Sequence, residues 1–149
     1  MGRRSCSLAA GTSRLMVLID TTVWIDFFAG TPTPQVSVLE FLISEGEDVC
    51  TCGIVLAEVL QGIRNDRTYR KIKSYFEDLV YLSIDQSTFV KPADMYRALR
   101  KKGITIRKPL DCMIASVAIV HRAQLLHNDR DFDPIQEQCG LKVVKIRER

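Results

Sequence analysis

Apolar positions first fall into a pattern at Val17-Leu18-Ile19, a short run that stops on Asp20 and passes through Thr21-Thr22 into Val23-Trp24-Ile25-Asp26-Phe27-Phe28. A run of this kind bounded by polar residues predicts a strand buried on both faces, and the segment after it a helix that Thr21 or Thr22 can cap. Gly30-Thr31-Pro32-Thr33-Pro34 predicts a loop, and Val36, Leu39, Leu42 and Ile43 then mark one face of a second helix. Val49 to Cys52 reads as a strand, and Ile54 to Gln61 as a helix whose only charge is Glu58. Tyr69, Ile72, Phe76 and Leu79 recur at helical spacing, Val80, Leu82 and Ile84 alternate as a strand does, and Phe89, Ala93, Tyr96 and Leu99 mark a further helix ending at Gly103. Pro109 opens the run Cys112 to Val120, Leu125-Leu126-His127 is a short strand, Asp133-Pro134 fits a helix cap followed by Pro at the first helical position, and Leu141 to Ile146 is a final strand.

Strands that alternate with helices predict a parallel sheet covered on both faces, hence an α/β fold in one domain over residues 16–149. Residues 1–15 carry Ser, Gly, Ala, Thr and Arg without an apolar period and read as a disordered tail or a start-site extension. A hydrophobic share of 46% with 26% charged residues is ordinary for a soluble globular protein, so composition excludes neither an enzyme nor a binding module. The apolar runs are too short to span a membrane, and five cysteines without a CxxC spacing favour a reducing cytosol over a disulfide framework. The net charge of +3 resides entirely in Arg3, Arg4 and Arg14, so global charge says nothing about a nucleic-acid partner. Local charge says more. Arg97, Arg100, Lys101, Lys102, Arg107 and Lys108 follow one another with no acid among them, a pattern that serves either a solvated helix end or a phosphate-binding surface.

The candidate chemistry lies in the acids. In an open parallel sheet, function collects outside the carboxyl ends of the strands where the strand order reverses. Asp20 follows the first strand, Asp129 and Asp131 follow the strand ending at His127, and Glu58 and Asp111 sit on helices that can each point one carboxylate into the same crevice. Each has a plainer explanation taken alone: Asp20 as a turn or cap residue, Glu58 on a solvent edge, Asp111 as a helix cap. Together they form a cluster that cannot stay ionised without a divalent cation. Carboxylates without His or Cys suit Mg²⁺ or Mn²⁺, the equipment for metal-assisted phosphodiester hydrolysis.

Four stretches then carry a resemblance: Leu18-Ile19-Asp20-Thr21-Thr22-Val23-Trp24-Ile25, Ala57-Glu58-Val59-Leu60-Gln61-Gly62, Leu110-Asp111-Cys112-Met113-Ile114-Ala115 and Asn128-Asp129-Arg130-Asp131-Phe132. In this order they resemble the successive blocks of the PIN domain, and more narrowly the VapC toxins of toxin-antitoxin pairs. The resemblance implies a three-layer fold around a central, mostly parallel sheet, and an endoribonuclease dependent on Mg²⁺, with Mn²⁺ able to substitute. It carries the acidic quartet onto Asp20, Glu58, Asp111 and Asp129, adds Asp131 as a fifth acid, and sets Thr22 where a hydroxyl contact to the metal or its water is expected. His127 takes a position where Thr is common, which implies a strand-end or RNA-edge role rather than a catalytic one. A VapB-type antitoxin, a homodimer and a structured RNA substrate such as tRNA or ribosomal RNA follow as implied partners. The cationic stretch Arg97 to Lys108 becomes an expected phosphate-tracking surface.

Two rival readings separate from this one by residues. A phosphoacceptor domain or a haloacid-dehalogenase-like phosphatase also places Asp after its first strand, but the phosphatase motif puts a second Asp two residues on, where this chain has Thr22. A catalytically silent RNA- or protein-binding module on the same scaffold would tend to have lost acids that are all present here.

Overall fold

The computed structural model describes residues 15–147. The expected tail lies outside the described residues except for Leu15. Four strands, β1 (Met16–Ile19), β2 (Asp48–Thr51), β3 (Val80–Tyr81) and β4 (Gln124–Leu126), form one sheet in the order β3-β2-β1-β4, and every pairing is parallel. Around it lie seven α-helices: α1 (Thr21–Ala29), α2 (Pro34–Ser44), α3 (Gly53–Gln61), α4 (Asp66–Glu77), α5 (Val90–Lys101), α6 (Pro109–Val120) and α7 (Asp133–Cys139). The α/β layering expected from the alternation of patterns is therefore present.

β1 is central because it is apolar on both faces: Val17, Leu18 and Ile19 are fully buried. β2 pairs with one edge of β1 and β4 with the other, so the strand order reverses between β1 and β4. The register sets Ile19 opposite Leu126, and the Asp20 N–H continues the ladder by donating to the Leu126 carbonyl at 2.9 Å. The residues that follow β1 and β4 thus emerge side by side.

Helix ends follow their local chemistry. Thr33 caps α2 by accepting from the Val36 N–H ahead of Pro34, and Asn65 caps α4 by accepting from the Thr68 N–H. Gly30 ends α1 in the left-handed region at φ 72°, a conformation that costs a side chain but not glycine. α6 is nearly all core, with Cys112, Ile114, Ala115, Ser116, Val117 and Ala118 buried, and Ser116 resolves its hydroxyl by donating to the Cys112 carbonyl at 2.7 Å.

Several expectations shift. Leu141 to Ile146 is not a strand: only Val143 bridges Leu125, in parallel, because β4 is three residues long and offers no further ladder. The strand expected over Val80 to Ile84 ends at Tyr81. On α5 the buried face is Pro92, Met95 and Leu99, whereas Phe89 precedes the helix and is 46% exposed. Asp133 does not cap α7: Phe132 holds that position, and Asp133 is the first helical residue with Pro134 second.

Trp24 anchors α1 to α4. It is fully buried, stacks on Phe28 with centroids 5.6 Å apart and meets Phe76 at 5.0 Å, while its indole N–H finds no acceptor among the described residues. Truncating it should cost about 3–5 kcal/mol as Trp24→Ala, by lost burial and an uncollapsed cavity. Trp24→Phe discards an unsatisfied donor and should cost at most about 1.5 kcal/mol. Urea unfolding checks both, and equal losses would show that the indole N–H contributes what the packing account denies it.

Candidate active site

Asp20 caps α1. Its backbone is extended, its Oδ2 accepts from the Thr22 N–H at 3.2 Å and from the Thr22 hydroxyl at 2.6 Å, and the residue is 3% exposed. The cap expected of Thr21 or Thr22 is therefore supplied by Asp20 itself, and the two threonines are used elsewhere. Thr22 Oγ1 also accepts from the Asn128 N–H at 3.2 Å, which pins the segment after β4 to the start of α1. Thr21 donates its hydroxyl to Glu58 Oε1 at 3.0 Å, which orients the lone acid of α3 toward the end of β1.

Asp111 is not a cap. Lys108 holds that position on α6, and Asp111 follows in the first turn, where the helix dipole favours a carboxylate. The residue is 6% exposed, and its Oδ2 has no hydrogen-bond partner among the described residues. One oxygen each of Asp111, Asp129 and Asp131 lie within 4.8 Å of one another. Burial first, and then the charges of Asp20 and Asp129, push the Asp111 carboxyl up to about 7 against the partial opposition of Lys108.

The other acids differ by their partners. Burial raises Asp20, and the hydrogen bonds from Thr22 only partly offset it. Burial would raise Asp129 too, but the Asp131 N–H at 2.9 Å on Oδ1 and the Lys108 ammonium at 2.9 Å on Oδ2 outweigh it and hold Asp129 below its ordinary value. Two neighbouring carboxylates are thus driven in opposite directions. Asp20 and Glu58 lie outside the tight group of three: Asp20 acts on Asp111 through its charge, and Glu58 is joined to the start of α1 through Thr21.

Of the cationic stretch, only Lys108 reaches the acids. Arg97, Arg100 and Lys101 are exposed on α5, where Arg100 lies 5.8 Å from the Tyr96 ring centroid and, with Lys101, complements the helix dipole. Lys102 donates to Gln138 Oε1 at 2.7 Å, and Arg107 is exposed in the connection to α6. His127 packs its ring on Phe132 at 4.8 Å, and its Nδ1 accepts from the Asp129 N–H at 3.2 Å. Desolvation lowers its pKa against the pull of Asp20, Asp133 and Asp129, which favours the uncharged imidazole. It borders an open cleft of about 250 Å³ with Gln35, Asn128, Asp129, Arg130 and Asp133.

Sequence reasoning missed three links here. The Thr21 to Glu58 bond joins residues 37 positions apart, and the Asn128 to Thr22 bond joins residues 106 apart, so no local pattern announces either. The grip of Lys108 on Asp129 had a signal in its place three residues before Asp111, but a charge run hides which member turns inward.

The PIN domain family matches residues 17–138. Ribonuclease VapC11 of Mycobacterium tuberculosis is 34% identical over 134 residues, covering 89% of this chain and all of that protein, and VapC ribonuclease Mb1587 of Mycobacterium bovis matches equally. Ribonuclease VapC1 of Methanocaldococcus jannaschii is 28% identical over 128 residues, 85% of each chain. In shape, the chain superposes on VapBC2 from Rickettsia felis, solved with a promoter DNA fragment, with TM-score 0.70 and 20% identity over 87% of this chain and 98% of that one. VapBC-1 from nontypeable Haemophilus influenzae gives TM-score 0.67 at 21% identity over 87% of this chain and 97% of that one, which again speaks to the fold. With a matching domain over most of its length and full-length relatives at this identity, the chain belongs to the PIN-domain family, among the VapC ribonucleases.

Proposed function

We propose that this protein is a metal-dependent endoribonuclease, the toxin of a VapBC-type pair, which hydrolyses phosphodiester bonds in a structured RNA such as tRNA or ribosomal RNA. The single observation that carries the reading is the buried Asp111 Oδ2 without a partner, beside Asp129 and Asp131 and within the field of Asp20. A sealed carboxylate oxygen with no donor costs kcal/mol amounts unless a cation meets it. The donor set is carboxylate oxygen alone, which fits Mg²⁺ or Mn²⁺ and no softer ion.

Asp111, Asp129 and Asp131 are the residues that would hold the cation, with Asp20 and Glu58 completing the acidic wall and Thr22 positioning Asp20 through its hydroxyl. Once bound, such an ion supplies Lewis-acid activation of water and charge neutralisation at the scissile phosphate. The chain's own part is to fix the acids on rigid elements: Asp20 by its capping bonds, Asp129 by the Asp131 N–H, Glu58 by Thr21. No nucleophilic side chain is required, and His127, favoured in its uncharged form, borders the cleft as a surface for the RNA rather than as an acid. The exposed Arg97, Arg100, Lys101, Lys102 and Arg107 are assigned to sequence-independent phosphate contact, with Lys108 nearest the acids. No helix among the described residues is long and apolar enough to cross a membrane. A homodimer and a VapB-type antitoxin are the partners the family resemblance supports, and solved relatives that are VapBC complexes agree with the second.

End-labelled total tRNA and ribosomal RNA fragments should give discrete cuts in Mg²⁺ or Mn²⁺ and none in EDTA. Asp111→Asn and Asp129→Asn should each reduce cutting by about 100-fold or more, since loss of a ligand exceeds the usual effect of losing its support, and Asp20→Asn by about 10- to 100-fold as a supporting acid. Cuts that persist in all three variants would refute the assignment.

Asp111 also makes a thermal prediction. Its carboxyl is raised from 3.8 to about 7 in the folded chain, so between these values the folded state holds a proton that the unfolded state has released. The stability this contributes is complete at low pH and is lost as pH rises through about 7. In EDTA at pH 8, Asp111→Asn should therefore melt higher than the parent by about 3–6 °C, and the gap should shrink as pH falls from 7 and close only below about 4. Mn²⁺ at pH 8 should raise the Tm of the parent and leave that of the variant almost unmoved. A variant that melts lower at pH 8 would mean that Asp111 makes a structural contact.

A further inference from the structure

Lys108 stands apart from the other cations of its stretch. Its Nζ lies 2.9 Å from Asp129 Oδ2, and its charge is also felt by Asp111 and Asp131. Asp129 Oδ1 already accepts from the Asp131 N–H, which leaves Oδ2 as the oxygen open to a cation, and the ammonium holds it. Meanwhile the Lys108 side chain is 59% exposed, whereas that of Asp129 is 17% exposed. The carboxylate is held from two sides and is largely buried, and the ammonium hangs from an exposed stem. Pro109 follows at the first position of α6, so the backbone is set and movement is confined to the four-carbon stem.

We propose that Lys108 is a two-position side chain that couples metal loading to RNA grip: it competes with a divalent cation for Asp129 and, once expelled, contacts the substrate's phosphate. The inference rests on the metal-dependent reading above. An exposed lysine pair is weak, whereas a divalent ion among three carboxylates interacts with each at twice the charge, so the ion wins the competition. The displaced ammonium remains tethered at the mouth of the acid cluster, a compact point charge where a phosphate must approach. A fixed phosphate-binding lysine would need no such exchange, and a purely structural ion pair would compete with the metal without making the loss of RNA affinity depend on a divalent ion.

Two measurements on the full chain test this, with Lys108→Met as the variant, Lys108→Gln as a second, and circular dichroism as the folding control. Titration with Mn²⁺ alone, followed by electron paramagnetic resonance, should show binding about 3- to 10-fold tighter in Lys108→Met at low salt, with the gain shrinking as salt is added. Fluorescence polarisation with labelled bulk tRNA, using Ca²⁺ in place of the catalytic ion, should show affinity about 3- to 10-fold weaker in the variant with Ca²⁺ and less than about 2-fold weaker in EDTA. Equal Mn²⁺ affinities, or equal losses of tRNA affinity with and without Ca²⁺, would each overturn the coupling. If both effects appear and no RNA is ever cut, the coupling stands and the nuclease reading fails. If RNA is cut but the Mn²⁺ affinities are equal, the nuclease stands and the coupling fails.

Discussion

Like charge brought together out of water is the constraint on which this molecule turns. Asp111 is sealed beneath the surface with one oxygen unpartnered, close to Asp129 and Asp131 and in the field of Asp20. Left to burial alone, Asp20, Asp111 and Asp129 would each be pushed toward the protonated form. The surrounding structure divides them instead: Asp129 is kept ionised by a backbone N–H and an ammonium, Asp20 is partly relieved by its capping bonds, and Asp111 bears what is left. Such an arrangement is costly for stability, and a fold retains it where a cation or a substrate uses it.

The sheet makes the crowding possible at little further expense. Parallel β1 and β4 run out at the same level, and the ladder bond from Asp20 to Leu126 carries the pairing into the site itself. Thr22 then links the loop after β4 to the start of α1 with one hydroxyl that donates to Asp20 and accepts from Asn128. The acids are thereby held by backbone and by short side chains with few rotamers, which is the kind of support a catalytic constellation needs. α6 completes the enclosure because its apolar face must go into the core, and Asp111 in its first turn is carried in with it.

Much of this was legible in the residues. The apolar run ending in Asp20 and the run from Cys112 to Val120 are long or pure enough that burial leaves no alternative, and the five acids stood out because each stands just after a strand or in an otherwise apolar helical run. What escaped had physical causes. Leu141 to Ile146 has a strand's composition, but a strand also needs a partner with ladder to spare, which three-residue β4 lacks. Phe89 looked like core because it is aromatic, yet it stands before the first turn of α5, where the inward positions are Pro92, Met95 and Leu99. Asp111 and Asp133 both looked like caps because Pro adjoins each helix start, but Lys108 is the residue at which the extended chain turns into α6, and before α7 the chain is already wound in a 3-10 turn over Arg130–Phe132, so both acids stand inside their helices.

Exposure is divided within the site as sharply as charge. Every acid sits on or just beyond a regular element, and the one cation in contact with them among the described residues hangs from a long, largely exposed stem. A short-stemmed or buried cation would have neutralised Asp129 more completely and opposed any metal more strongly, since a desolvated pair is hard to break. An exposed lysine is weak enough to be displaced and close enough to remain in the field of the phosphate. The same reasoning explains why Lys108, alone of its cationic run, gains from standing at the start of α6: there Pro109 fixes its origin while leaving its ammonium free to move.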